Sequence, residues 1–410
     1  MLARRDFLRL SGRFALGAAA AMVAGCRRRD ATPESKRTRK AKAPVTLFLC
    51  GDVMTGRAVD QILPHPSDPQ LHEPYVSDAR EYLALAESAS GPIPNPVKFD
   101  YIWGDLLPEL AKRRPRARIV NLETSVTGSD DWWRGKSIHY RMHPDNAPCL
   151  AAAGIDCCVL ANNHVLDWGY VGLDETIATL HAIGLRTAGA GGDHAHASPP
   201  AVLPLSTRHR LLVFSAATDD SGVSGAWGAG ARQPGVHRLP DLSMSTVETL
   251  RHLVRAHRRD GDRVLFSLHW GGNWGFEIPT AQRAFAHALI DVAGADVVHG
   301  HSSHHVKAIE VRRDRPILYG CGDFIDDYEG IGGNEEYRGE LGAMYFVTLD
   351  AADGRLLGVE LVPTRIRRFR IERARGTDRD WLLRTLRREC APFGCGLQDR
   401  DGEAFDLTWS

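Results

Sequence analysis

The run Ala161-Asn162-Asn163-His164-Val165-Leu166-Asp167-Trp168-Gly169 places two amides, an imidazole and a carboxylate directly after the apolar Cys157-Cys158-Val159-Leu160. Asn suits neither a helix nor a strand interior, because its side chain competes for backbone hydrogen bonds. The run therefore reads as a strand-to-helix turn, the place where α/β sheets build their sites. The same arrangement recurs along the chain. Asp52 follows the apolar run 45–50, Glu123 follows 118–120, His269 follows 264–268, and His301 and His304 follow 295–298. A carboxylate at the end of a buried strand is costly unless it is paired or binds a cation. Asp52, Glu123, Asn163, His269, His301 and His304 offer oxygen and nitrogen donors without thiolate. Such a set suits one or two divalent ions, with Mn, Zn, Fe and Mg undistinguished, and not a structural cysteine–zinc site. Two cations sharing a carboxylate would bind an oxyanion, activate water and support in-line hydrolysis of a phosphoester. His164 is expected to face substrate, with Asp167 orienting its ring and raising its pKa, as a general acid or oxyanion donor. Arg57 is expected to steer an anionic substrate. Any one of these residues alone reads equally as a structural histidine, cap or salt bridge; repetition at successive strand ends argues for a shared site.

Positioning these residues requires strand, polar cluster and helix in alternation, which defines an α/β layered fold. Further strands are expected at 211–214, 316–319 and 344–349, with helices over 101–113, 146–153, 171–183, 241–259 and 279–293. Residues 61–98, rich in Pro, His and Ser, read as a long surface insertion. Trp132 and Trp133 read as a ligand wall or as a lid over the core. Gly189-Ala190-Gly191-Gly192 lacks the Lys-Ser/Thr of a phosphate loop and reads as an ordinary loop. Beyond about residue 365 the chain reads as a basic segment, a helix over 381–390 and a tail.

The 410 residues carry no formal net charge, so nothing points to a nucleic-acid surface. Eight cysteines in this length do not make a disulfide scaffold. Cys50, Cys157 and Cys158 fall in apolar runs and read as core residues, while Cys390 and Cys395 are close enough in sequence to bridge if geometry allows. Residues 1–25 read as an export signal: Arg4-Arg5-Asp6-Phe7-Leu8 resembles a twin-arginine signature, and Val23-Ala24-Gly25-Cys26 resembles a lipoprotein lipobox. That resemblance implies cleavage before Cys26, lipid on Cys26, and an exported, membrane-anchored protein in the periplasm or at the cell surface. Residues 26–43 read as a disordered basic tether, 44–365 as the main domain, and 366–410 as a C-terminal helical extension.

The ordered motifs Gly51-Asp52-Val53-Met54, Asn121-Leu122-Glu123, Ala161-Asn162-Asn163-His164 with Asp167 and Gly169, His269-Trp270-Gly271, Gly300-His301 with His304, and Tyr319-Gly320 through Gly322-Asp323-Phe324 resemble the CapA family of capsule-synthesis or poly-γ-glutamate biosynthesis proteins. That family is similar to calcineurin-like metallophosphatases. The resemblance covers about residues 45–363. It implies a four-layer α/β/β/α sandwich, a metal-bearing cleft, an anionic polymer or phosphoester substrate, and a membrane polymer synthase or export complex as partner. Five positions depart from the usual pattern. Met54 stands where metallophosphatases place a His, Glu123 must replace a bridging Asp, Ser302-Ser303 replace His-Pro, and Asp323 replaces Asn. They leave open a dinuclear hydrolase, a single-ion site or a binding module with a relict site.

Overall fold

The computed structural model describes residues 44–410, which lie within one unit spanning Ala41–Ser410. The expected export signal, Cys26 and the tether fall outside the described residues. Strands β1 (Pro44–Val53), β2 (Ala117–Leu122), β3 (Cys157–Val159) and β4 (Arg186–Ala188) run parallel and in that order across the first sheet. A second sheet holds β5 (Ala201–Pro204), β6 (Arg210–Ala217), β7 (Arg263–His269), β8 (Val297–His301), β9 (Ile309–Arg312) and β10 (Arg315–Leu318), in the spatial order β9-β10-β8-β7-β6-β5. The chain then returns to the first sheet with β11 (Asp323–Ile325), parallel to β1, and with β12 (Leu341–Asp350) and β13 (Leu356–Ile366), antiparallel beyond it.

Three apolar clusters explain the layering. Leu47 and Leu49 of β1 share a core with Leu211, Val213, Leu265 and Val297 of the second sheet. Phe48 and Cys50, whose side chains alternate to the other face of β1, join a core with Leu106, Leu110, Leu173 and Leu180 of covering helices. Phe214, Phe266 and Val298 of the second sheet pack with Val247, Leu250 and Phe285 from the helices Met244–His257 and Thr280–Ala288.

Several expectations change in detail. The helix expected over 101–113 is broken at Gly104, where φ is 39° and a Cβ would lie 2.1 Å from the Ile371 carbonyl oxygen, so only Leu106–Arg113 is α-helical. The insertion 61–98 contributes the helix Ala79–Ser90, capped by Asp78, and buries Ala79, Tyr82, Ala86, Ile93 and Val97 in the core. The stretch beyond 365 gives β14 (Ile371–Arg373), a helix over Gly376–Cys390, and a hairpin of β15 (Cys395–Arg400) and β16 (Ala404–Trp409) that pairs with β13. Its polar outer residues give it the look of a tail, but Phe405 and Leu407 are buried in the core between the sheets. Cys390 and Cys395 are separate thiols, and Cys390 Sγ accepts a hydrogen bond from the Ile309 amide. No helix among the described residues is long and apolar enough to cross a membrane.

Candidate metal centre

The strand ends converge. Gly51 lets β1 meet the 320–323 turn, since a Cβ there would lie 1.7 Å from the Gly322 carbonyl oxygen. Asp52, which follows it, registers directly opposite Asp323. On the second sheet His269 and His301 are paired at the ends of β7 and β8. Asp52, His269 and His301 form one group able to hold a metal ion, and Asp52, His304 and Asp323 form another; all are buried. Asp52 is common to both groups, whereas Glu123, from which sharing was expected, is in neither. Glu123 lies alongside, 3.8 Å from His269 Nδ1 and 3.9 Å from His164 Nε2. Asn163 Oδ1 accepts a hydrogen bond from His269 Nε2 at 3.1 Å. The six residues are thus neighbours, but only Asp52, His269, His301 and His304 fall in the two groups, joined by Asp323, which was not expected to take part, while Glu123 and Asn163 stand beside them.

The donor set fits a cation. The atoms are carboxylate oxygens and imidazole nitrogens, without thiolate. Asp323 Oδ2 is buried without a hydrogen-bond partner, a costly state for a carboxylate. Without a counter-ion, burial and the neighbouring Asp323 charge push Asp52 up to about 7. Burial, with Asp52 and Asp323 close by, pushes Glu123 well above its ordinary range. Burial drives His269 and His301 well down, holding them as neutral imidazoles that can donate a lone pair. Burial also lowers His304, but the charge and hydrogen bond of Asp323 outweigh it and the net shift is upward.

Surrounding side chains hold these groups in place. Asn121 donates to Asp52 Oδ1 at 2.8 Å and to Glu123 Oε2 at 3.0 Å. Ser267 Oγ lies 2.9 Å from His301 Nε2 and 3.0 Å from His299 Nδ1, while His299 Nε2 faces the Cys50 carbonyl at 2.8 Å. Ser302 adopts φ 94° and its N–H donates to Asp52 Oδ2 at 3.0 Å. A non-glycine residue held there stores backbone strain of a kind that gathers at functional sites.

His164 and Asp167 are joined, Nδ1 to Oδ2, at 2.6 Å. The expected direction of the pKa shift is reversed. Burial and the Lys136 ammonium outweigh Asp167 and lower His164 to about 4, so the ring is neutral at neutral pH. Lys136 Nζ donates to Asp167 Oδ1 and to the Asn163 carbonyl, and it lies 2.9 Å from His164 Nδ1. It lies in the loop that carries Trp132 and Trp133. Trp132 stacks on His72 with centroids 4.3 Å apart, and Trp133 meets Trp227 edge-on. Lys136 therefore ties that loop to the Asn163-His164 turn.

Arg57 is not brought to the cluster as a free cation. It is buried, and its guanidinium bonds Asp327 and Glu73 while lying 4.0 Å from the Tyr82 ring centroid. Its Nε, Nη1 and Nη2 are all turned to these two carboxylates and not to the cluster.

Asn121, Asn162, Lys136 and Asp323 are the residues that sequence reasoning left without a role. Asn121 and Asp323 lay inside the quoted motifs, and an amide two residues before Glu123 on a buried strand was a usable signal. Lys136 gave none, because it acts from a loop.

Two sheets with a buried Asp/His cluster at their strand ends define the class, and comparison with known proteins defines the family. A model described as "Bacterial capsule synthesis protein PGA_cap" matches residues 46–328, and the chain belongs to that family. A Mycobacterium tuberculosis H37Rv relative, named "Probable polyglutamine synthesis accessory protein", is 46% identical over 365 residues, covering 89% of this chain and 96% of its own. The Bacillus anthracis "Capsule biosynthesis protein CapA" is 27% identical over 286 residues, covering 69% of this chain and 60% of its own. The Bacillus subtilis "PGA biosynthesis protein CapA" is 28% identical over 209 residues, covering 50% and 52%.

Proposed function

We propose that this chain is an exported, lipid-anchored accessory protein in the synthesis or export of an anionic polymer of the poly-γ-glutamate type, acting beside a membrane synthase. Its working part is a metal-dependent cleft. Relatives named for polyglutamine synthesis and capsule biosynthesis support the role. The observation that carries the cleft is the pair of buried ligand groups meeting at Asp52. The three apolar clusters, one between the sheets and one on each outer face, support a four-layer sandwich of the metallophosphatase kind. Lipid on Cys26 would hold the protein at a membrane, in the periplasm or on the cell surface, without a spanning helix.

Asp52, His269, His301, His304 and Asp323 would hold the ions, with Glu123 and Asn163 beside them. Bound there, divalent cations would polarise an oxyanion and lower the pKa of a water. The chain's own residues do the rest. Asn121 keeps the Asp52 and Glu123 oxygens aimed at the cluster. We assign the His164 Nδ1 proton to its bond with Asp167, which leaves Nε2, on the Glu123 side, as the nitrogen able to take a proton. The two groups sharing Asp52 also favour a second reading, hydrolysis of a phosphoester.

One experiment addresses the role. A poly-γ-glutamate-producing host lacking its own CapA-type subunit is given the full chain or its Asp52→Ala form. Polymer is expected with the wild type and not with the variant. No polymer with a membrane-localised wild type would refute the accessory role. Equal polymer with both would refute the role of the cleft.

A further inference from the structure

Every member of the cluster is buried. His304, the most exposed of its imidazoles and still only 8% exposed, lines a cavity of about 610 Å³ together with Asn273 and Asp326. The rest of the wall is largely apolar and aromatic: Tyr82, Trp274, Tyr328, Ile138 and Ala89 line it, and Tyr75 and Ile331 stand at its mouth. Tyr75 is 86% exposed and Ile331 46%, and both are among the large apolar side chains that the described fold leaves in water. Leu85, also exposed, adjoins the mouth through Gly330, whose Cβ would lie 2.7 Å from the Leu85 carbonyl.

The charges on this wall are wrong for a polyanion. Of its two arginines, Arg57 is buried between Asp327 and Glu73, while the partly exposed Arg365 gives one hydrogen bond to Asp378. Glu329, Glu335 and Glu340 stand on the same wall, Glu340 paired with Arg338, while burial pushes Asp326 well above the usual carboxylate range. A glutamate chain threaded here would meet three glutamates and, of the arginines, only the partly exposed Arg365. An uncharged organic group would instead bury apolar wall and rim, at a gain that scales with area.

We propose that this cavity is a binding site for the organic part of the ligand whose anionic end sits at the cluster, and that this part is apolar: an aryl or alkyl group, not a polyanionic chain. The inference rests on the metal-cleft reading and adds the substrate class to it. It assigns the aromatic wall as the selector and the cluster as the anion anchor.

The test uses phosphonates, which resist hydrolysis, so that it reads binding and not turnover. Full chain in detergent, loaded with Mn²⁺, is titrated calorimetrically with methylphosphonate, 1-naphthylphosphonate and octylphosphonate. The common anionic end cancels in the ratio. At least one of the larger compounds is expected to bind about tenfold or more tighter than methylphosphonate, and the larger ratio tells a planar from a chain-like preference. Ile331→Asp and Tyr75→Asp, both at exposed positions, should remove most of that advantage, read as the ratio to methylphosphonate in the same variant. Met244→Asp, at an exposed apolar position that does not line the cavity, should change neither. Equal affinity for all three compounds, or an equal effect of Met244→Asp, overturns the cavity assignment while leaving the cleft. Binding of none, methylphosphonate included, removes the metal-cleft reading and this inference with it.

Discussion

Asn162 donates its side-chain N–H to Asn121 Oδ1 at 3.0 Å, and so fixes which face of the Asn121 amide looks at the carboxylates. Asn121 then donates to both Asp52 and Glu123. The first amide of the Asn-Asn-His run is therefore a positioning residue, and its Oδ1 also accepts from the His164 and Val165 amides. Asn162→Ala strands buried partners on both sides. It should cost about 1–3 kcal/mol for each partner left unsatisfied, read as a lower midpoint in urea. Metal affinity should fall with it, although Asn162 contacts no ligand atom of either group. A variant of wild-type stability and metal content would remove this role.

The sharing of Asp52 predicts unequal losses of metal. His301→Ala removes a member of one group only, and His304→Ala a member of the other. Elemental analysis of each full chain, purified without chelator, should find about half the wild-type metal in either variant. Asp52→Ala should bring it near zero, because both groups lose their common oxygen donor. If His304→Ala leaves the metal content unchanged, the cluster is a single-ion site and the Asp323 side is structural.

The acid behaviour follows from Asp52. Its pKa in the folded, metal-free chain is raised from the ordinary 3.8 to about 7, through burial and then Asp323. Between those values the folded state holds a proton that the unfolded state has released. This group's contribution to stability therefore falls as pH rises from about 4 to 7 and is level above that. Buried histidines such as His299, lowered to about 4 by burial, act in the opposite sense. The Asp52 effect must be read as the difference between wild type and Asp52→Asn in urea unfolding at several pH values. Metal uptake must expel the same proton. Mn²⁺ affinity should fall by about tenfold per pH unit below 7 from this group alone, with proton release visible in calorimetry in two buffers of different ionisation enthalpy. A flat affinity from pH 5 to 7 would contradict it.

Much of this site was legible because each ligand directly follows an apolar run. Asp52, His269 and His301 sit where β1, β7 and β8 deliver them, and strand ends are easy to read. Asp323 was harder. Its strand is three residues long, and its worth depends on lying opposite Asp52, some 270 residues earlier in the chain, a pairing made possible by Gly51. Lys136 belongs to a loop without periodicity, so only the folded chain shows it reaching Asp167. The direction of the His164 shift was misjudged for a related reason: the carboxylate was visible in sequence, while the burial and the lysine were not. The C-terminal hairpin was missed because β15 ends in the exposed Gln398, Asp399 and Arg400, which read as solvated tail.

Arg57 offers the last test, between a residue that meets substrate and one that holds the fold. It stands at φ 49°, with its side chain 2% exposed, between Asp327 and Glu73 and against Tyr82 and Tyr140. Asp327 also caps the Ala58 amide at 3.1 Å, so the ion pair fixes the turn that follows β1. Removing one partner of a buried pair leaves the other charge unmet, which costs about 3–5 kcal/mol. Arg57→Ala should therefore lower the unfolding free energy by that order. A double-mutant cycle with Asp327→Ala should show strong coupling, because either single change already breaks the pair. A steering residue would behave otherwise: its loss would leave stability nearly unchanged and weaken phosphonate binding in a salt-dependent way. Unchanged stability in Arg57→Ala, with salt-sensitive loss of methylphosphonate affinity, would return Arg57 to the substrate side.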